Sequence, residues 1–171
     1  FGRNLNYEAQ HAKWKQSGDS KDEPSKFRFV KGFQRGLELY GEDVFRREAD
    51  PEQSRELGVI LVEGPNDVMN LNACGVPAVA VCSNTVTEVQ AGKLAVLARE
   101  FGGDTVSVMF DLDQEGENGA KQAVLALALR CRARYLWTST TAGGGYRGRQ
   151  PESLTPSDWE SAIRAPLVRS A

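Results

Sequence analysis

The chain has 171 residues, of which 40% are hydrophobic and 26% are charged, and its formal net charge is -2. This composition is typical of a globular domain with a buried core, and the charge excludes a general electrostatic attraction to nucleic acid. No apolar run approaches the roughly 20 residues that a membrane span needs, so we expect no membrane segment. Three cysteines without a C-x-x-C spacing argue against a zinc site and a disulfide framework, and they predict reduced thiols in a cytoplasmic protein.

A basic and aromatic segment begins near the N-terminus. Residues 26–36 contain four basic side chains and no acidic one. Because side chains alternate along a strand, Lys26 and Arg28 would share one face, and Phe27 and Phe29 the other. The alternation fits an ordinary strand with one solvated face. It also fits a cationic wall that contacts phosphates, with aromatic rings that anchor it or stack on bases.

Strands and helices alternate after residue 57. The charged segment 42–56, interrupted at Pro51, predicts a surface helix or loop and a subdomain boundary. Beyond it, short apolar runs predict four strands, at 59–62, 77–81, 106–110 and 133–137. Helices are predicted between them, one beginning at the capping box of Thr87 and Gln90, another spanning about 118–130. This alternation predicts right-handed crossovers and a mostly parallel sheet, followed by a Gly-rich loop and a short terminal helix.

Acidic residues follow two of the predicted strands. Glu63 comes directly after the first strand, and Asp111 and Asp113 come after the third. Groups just past the carboxyl ends of parallel strands face the ligand crevice of an open sheet, so we expect these carboxylates to converge. Converging carboxylates repel one another unless a cation lies among them, and oxygen ligands suit Mg²⁺ or Mn²⁺. The sequence therefore predicts a metal site.

The D-x-D pattern of Asp111 and Asp113 also has other interpretations. Asp113 is placed to cap the following helix, which is a common role for aspartate. The run from Phe110 to Asp113 also resembles the nucleophile motif of haloacid dehalogenase-type phosphatases. That family continues with glycine and a hydroxyl residue, whereas Gln114 and Glu115 follow here.

Together the two acidic motifs resemble the Toprim domain of DnaG-type primases, topoisomerases and some nucleases. The run Glu63-Gly64-Pro65-Asn66-Asp67-Val68 is similar to the E-G-x-x-D-V of bacterial DnaG-type primases. The second motif is D-x-D-x-x-G-x-x-x-A, ending at Ala120. Upstream, residues 26–41 resemble the basic segment and L-Y-G signature that precede Toprim in primases, and that topoisomerases and Toprim nucleases lack. The resemblance covers residues 1–137.

The resemblance implies an α/β fold, with a Toprim-like mostly parallel sheet flanked by helices and a small N-terminal α+β subdomain. It divides the chain into a basic N-terminal subdomain (1–57), a Toprim domain (58–137), and a Gly-rich loop with a C-terminal helix (138–171). It implies that Glu63, Asp111 and Asp113 are catalytic and bind Mg²⁺ or Mn²⁺, with Asp67 as a further acidic residue of the metal site. The implied nucleotide- or template-binding residues are Arg3, Lys26, Arg28, Lys31 and Arg35.

The implied function is the catalytic core of a DNA primase, which synthesises short RNA primers on single-stranded DNA from ribonucleoside triphosphates. A contact with the replicative helicase is expected only through regions that this chain does not contain. Two alternatives are an inactive primase-like module that binds nucleic acid and a Toprim-type nuclease. The family's acidic D-P-D element is replaced here by Gln150-Pro151-Glu152, in which Glu152 is the one candidate acidic substitute. This departure favours the inactive module, whereas the basic segment favours a primase over a nuclease.

Overall fold

A computed structural model describes residues 2–18, 24, 27–137, 146 and 148–164. The chain divides into two compact units, Phe1–Gln34 and Arg35–Ala171. In the first unit, strand β1 (Gly2–Arg3) pairs antiparallel with β2 (Phe27–Arg28), and helix α1 (Tyr7–Ser17) lies between them in sequence.

The boundary between the units differs from the one expected after residue 57. Leu39 and Phe45 are buried in the core of the second unit, which ties the segment after Gln34 to that unit. The Gln90 side chain strengthens the attachment, because its Nε2 donates hydrogen bonds to the carbonyl oxygens of Arg35 at 2.6 Å and Glu38 at 2.9 Å.

The second unit is built on four parallel strands in the order β4-β3-β5-β6. The strands are β3 (Val59–Val62), β4 (Ala78–Ala80), β5 (Thr105–Val108) and β6 (Arg132–Tyr135). The helices that accompany them are α2 (Glu42–Glu48), α3 (Pro51–Leu57), α4 (Pro65–Ala73), α5 (Glu88–Glu100) and α6 (Gln114–Leu127). Helices cover the sheet, so the predicted α/β, Toprim-like parallel architecture is confirmed.

Burial in the sheet follows the helices that cover it. Every residue of β3 and of β4 is buried, although β4 lies at an edge of the sheet, because helices α5, α4 and α2 pack against these strands. Such strands favour continuous apolar β-branched sequence, as in Val59–Val62. At the edge opposite β4, strand β6 is only partly buried. The carboxyl ends of β3 and β5 lie in the middle of the sheet and therefore have little freedom to move.

Helix caps set two of the helix starts. The capping box predicted for α5 is confirmed, since Thr87 Oγ1 accepts a hydrogen bond from the Gln90 N–H and Gln90 Oε1 accepts one from the Thr87 N–H. Helix α6 begins at Gln114, four residues before the predicted start near residue 118. The earlier start reflects an N-cap at Asp113, whose side chain accepts from the Gly116 N–H.

After the sheet, the chain returns to pack on α4. A 3₁₀ turn (Pro151–Ser153) contacts α4 and leads into the predicted terminal helix, which starts as α7 (Pro156–Asp158) and continues as π-helical turns (Trp159–Arg164). Most of the predicted Gly-rich loop, residues 138–145 and 147, lies outside the described residues. Over the part of the chain that is described, no helix is long and apolar enough to cross a membrane.

Candidate active site

Glu63 and Asp111 meet at the carboxyl edge of the sheet. Glu63 is the first residue after β3, and Asp111 follows β5 by three residues. The backbone N–H of Asp111 donates to Glu63 Oε1 at 3.1 Å. This bond joins the two acidic motifs directly, as the parallel topology predicts.

Asp67 lies in the first turn of α4 and is only 5% exposed. Its Oδ2 accepts from the N–H of Gly64, the N-cap residue of α4, at 2.9 Å. Its Oδ1 accepts from the Glu152 N–H at 3.0 Å. Both carboxylate oxygens therefore bind backbone donors, so Asp67 connects the first acidic motif to the segment after the sheet.

Asp113 serves as the N-cap of α6. Its Oδ1 accepts from the Gly116 N–H at 2.8 Å, so the capping role weighed from the sequence is present. A carboxylate has two oxygens and about four lone-pair sites, so a cap leaves further capacity to accept. Capping and metal binding are therefore compatible roles for this side chain.

The acidic residues share an excess of negative charge. Burial, followed by the nearby charge of Asp111, raises the pKa of Glu63 to about 8. Burial also raises the pKa of Asp67 to about 7, and the charge of Asp111 acts in the same direction. The raised pKa values mean that the charged forms of these carboxyls are disfavoured. A proton or a bound cation would offset their negative charge.

The chemistry of these side chains fits a hard divalent cation, but the site is not preformed. Among the residues described here, no three acidic, histidine or cysteine side chains are already grouped to hold a metal ion. Each of the four acidic side chains already accepts a hydrogen bond, and the contact between Glu63 and Asp111 joins the two acidic motifs. The carboxylate oxygens suit Mg²⁺ or Mn²⁺.

Residues 148–154, which we call the strap, lie against both acidic motifs. Its backbone pairs with Leu112 through two hydrogen bonds, from the Gly148 N–H to the Leu112 carbonyl at 2.9 Å and from the Leu112 N–H to the Arg149 carbonyl at 3.0 Å. Between these anchors and the 3₁₀ turn, Gln150 Nε2 donates to Asp111 Oδ2 at 2.7 Å. Sequence reasoning noted Gln150 only as a departure from an acidic motif and gave no sign of this contact.

Of the predicted basic residues, Arg35 is placed on the same unit as the carboxylates. The segment that contains it runs beside β4, where Tyr40 and Ala80 exchange two backbone hydrogen bonds. Burial raises the pKa of Cys82, just past β4, to about 12, and the positive charge of Arg35 opposes that shift. Arg35 therefore lies near the carboxyl end of β4, which neighbours β3.

The other predicted basic residues belong to the first unit. Arg28 and Lys31 are exposed. Lys26 and the side chain of Arg3 lie outside the described residues. The nucleotide- or template-binding role of all four remains a prediction.

Comparisons with known proteins agree with this geometry. Residues 58–138 match the Toprim domain family. The zinc-binding and RNA polymerase domains of Aquifex aeolicus primase superpose with a TM-score of 0.51 and 23% identity, covering 89% of this chain and 33% of that one. The RNA polymerase domain of Mycobacterium tuberculosis primase DnaG superposes with a TM-score of 0.53 and 20% identity. The match covers 89% of this chain and 46% of that one. No curated protein matches the chain.

At these identities the two structures establish the fold. This chain spans a third of the length of the first and just under half of the second. The family match covers β3 to β6, the strands that carry Glu63 and Asp111. The chain is therefore similar to Toprim domains over residues 58–138, and its fold resembles part of the RNA polymerase domains of bacterial DnaG-type primases.

Proposed function

We propose that this chain is the catalytic core of a DNA primase, a metal-dependent nucleotidyltransferase that joins ribonucleotides on a single-stranded DNA template. The observation that carries the proposal is the contact between Glu63 and Asp111 at the ends of adjacent strands of a Toprim domain. The position of Arg35 near the same edge of the sheet supports it, since a cation there suits a triphosphate.

Each residue has a distinct proposed role. Glu63 and Asp111 would hold Mg²⁺ or Mn²⁺, with Asp113 contributing from the start of α6. Asp67 positions the α4 turn that follows Glu63, through its bond to the Gly64 N–H. Arg35 would bind phosphate oxygens. When bound, the ion would supply charge stabilisation to the reacting phosphoryl group and lower the pKa of a coordinated hydroxyl.

A second candidate is a module that binds metal and nucleic acid but does not polymerise. Two observations favour it. Gln150 contacts Asp111 where the resemblance leads us to expect an acidic side chain, and three ligands are not grouped in advance. Primer synthesis distinguishes this candidate from the primase.

The test combines Mn²⁺ titration with primer synthesis by the same samples. We compare the wild type with Asp111→Asn, which keeps the side-chain shape and removes the charge. Glu115→Gln is the matched control, because Glu115 is an exposed acidic residue in the first turn of α6. We expect the wild type and the control to bind Mn²⁺ and to incorporate ribonucleotides on single-stranded DNA, and Asp111→Asn to lose both.

Three other results would change the assignment. Mn²⁺ binding without incorporation favours the inactive module. Cleavage of DNA or RNA that Asp111→Asn abolishes favours the Toprim-type nuclease. Equal Mn²⁺ affinity of the wild type and Asp111→Asn contradicts the metal site itself.

A further inference from the structure

The Gln150 amide is a neutral donor directed at a charged oxygen. Its Nε2 lies 2.7 Å from Asp111 Oδ2. The nitrogen rather than the oxygen of the amide must face Asp111, because an ionised carboxylate only accepts hydrogen bonds. An amide nitrogen has no lone pair available for a metal ion, so in this arrangement Gln150 is not a ligand. It is directed at one of the two oxygens through which Asp111 could hold a cation.

The backbone around Gln150 is fixed independently of this contact. Pro151 follows it and is buried, which restricts the chain at the start of the 3₁₀ turn. The Asn70 side chain on α4 donates to the carbonyl oxygens of Pro151 at 3.0 Å and Leu154 at 2.8 Å. The strap is thus fastened to α4 on one side and to Leu112 on the other, and it holds the Gln150 amide against Asp111.

We propose that Gln150 is a positioning residue that holds the Asp111 carboxylate in the metal-free protein and competes with a divalent cation for Oδ2. The inference rests on the proposed function, because it takes Asp111 as a metal ligand. A hydrogen bond to a charged acceptor is stronger than one between neutral groups. A cation bound at Oδ2 withdraws electron density from that oxygen and crowds the amide, which weakens the hydrogen bond, so the site binds its cation more weakly than the carboxylates alone would allow.

Removing the amide tests this competition. Gln150→Met keeps the length of the side chain without its donor, and Gln150→Asn keeps an amide but withdraws it by one methylene. For each variant we expect a Kd for Mn²⁺ about tenfold lower than that of the wild type, which corresponds to about 1.4 kcal/mol. We also expect a lower Tm without metal, because Asp111 loses a partner. Electron paramagnetic resonance measures free Mn²⁺, and calorimetry measures the Tm.

Gln114→Met is the matched control. Gln114 is exposed at the start of α6, and its amide donates to Asn118 rather than to an acidic side chain. The Kd of Gln114→Met for Mn²⁺ should therefore equal that of the wild type. Weaker Mn²⁺ binding by both Gln150 variants would overturn the proposal and make the Gln150 side chain a ligand. Unchanged binding would overturn it too. If Asp111→Asn binds Mn²⁺ like the wild type, it is the proposed function that fails.

Discussion

The packing of Gly116 against the Asp111 backbone gives a sharp test of the second acidic motif. A β-carbon at position 116 would lie 2.2 Å from the Asp111 carbonyl oxygen and 2.9 Å from its carbonyl carbon. Since non-bonded atoms pack at about 3.5 Å, the first turn of α6 would have to move by about 1 Å. That movement would also lengthen the 2.8 Å bond from the Gly116 N–H to Asp113 Oδ1.

Opposing effects decide whether Gly116→Ala raises or lowers the free energy of unfolding. Helix propensity alone favours alanine over glycine by about 1 kcal/mol. Forcing a methyl group against fixed backbone costs about 1–3 kcal/mol. Weakening the Asp113 cap costs about 1 kcal/mol more. We therefore expect Gly116→Ala to lower the free energy of unfolding by about 1–3 kcal/mol, and to weaken Mn²⁺ binding because Asp111 and Asp113 shift relative to Glu63.

Gly92→Ala provides the matched control, since it makes the same change within α5, where an added β-carbon would meet no atom within 4 Å. At that position only the higher helix propensity of alanine acts, and we expect the free energy of unfolding to rise by about 0.5–1 kcal/mol. Urea unfolding of both variants measures the difference. The packing argument is refuted if Gly116→Ala is as stable as the wild type, or if both variants gain stability alike.

Two further predictions concern buried polar groups. Burial raises the pKa of Glu63 in the folded state from its ordinary 4.5 to about 8. The associated stability of the metal-free protein should therefore be fully present below about pH 4.5 and be lost as the pH rises to about 8, with a slope of up to about 1.4 kcal/mol per pH unit. A urea series across this range should show a shallower slope for Glu63→Gln, and an equal slope would contradict the assignment. Gln90 is 1% exposed, and the two hydrogens of its amide nitrogen are shared among three backbone carbonyl oxygens. We expect Gln90→Leu to lower the free energy of unfolding by about 2–4 kcal/mol, against little change for the exposed Gln114→Leu. A loss below about 1 kcal/mol would contradict the structural role given to this amide.

The α/β architecture could be predicted because its signals are local. Val59–Val62 is short, apolar and β-branched, and it ends at an acidic residue followed by glycine and proline, which predicts both a buried strand and its end. The start of α6 was less accessible. The run rich in alanine and leucine that predicts this helix begins only near residue 118. In the structure, Gly116 is required by the close approach of Asp111, and Gly119 by the Asn84 carbonyl oxygen, 2.4 Å from where a β-carbon would lie.

The site was predictable in part. Convergence of Glu63 and Asp111 follows from the parallel strands. Whether Asp113 caps a helix or binds a metal does not follow from the sequence, because one side chain is compatible with both roles. The contact between Gln150 and Asp111 spans 39 residues and depends on how the strap is fastened to α4. Nothing in the local sequence specifies that geometry. The unit boundary at Gln34 differs from the one expected after residue 57 for a similar reason, since the segment after Gln34 is held by long-range contacts, among them the burial of Leu39 and Phe45.

The sheet order has a consequence for how the protein folds. Glu63 and Asp111 are 48 residues apart, and β4 and α5 lie between them in the chain although β3 and β5 pair directly. The two side chains therefore meet only after a long loop has closed and its entropic cost has been met. A cation held between them would stabilise conformations that already contain the β3–β5 pairing. Where the β3–β5 pairing forms after the rate-limiting step, such an ion would slow unfolding and leave the rate of folding unchanged, so it would make the native state kinetically persistent without guiding the chain toward it.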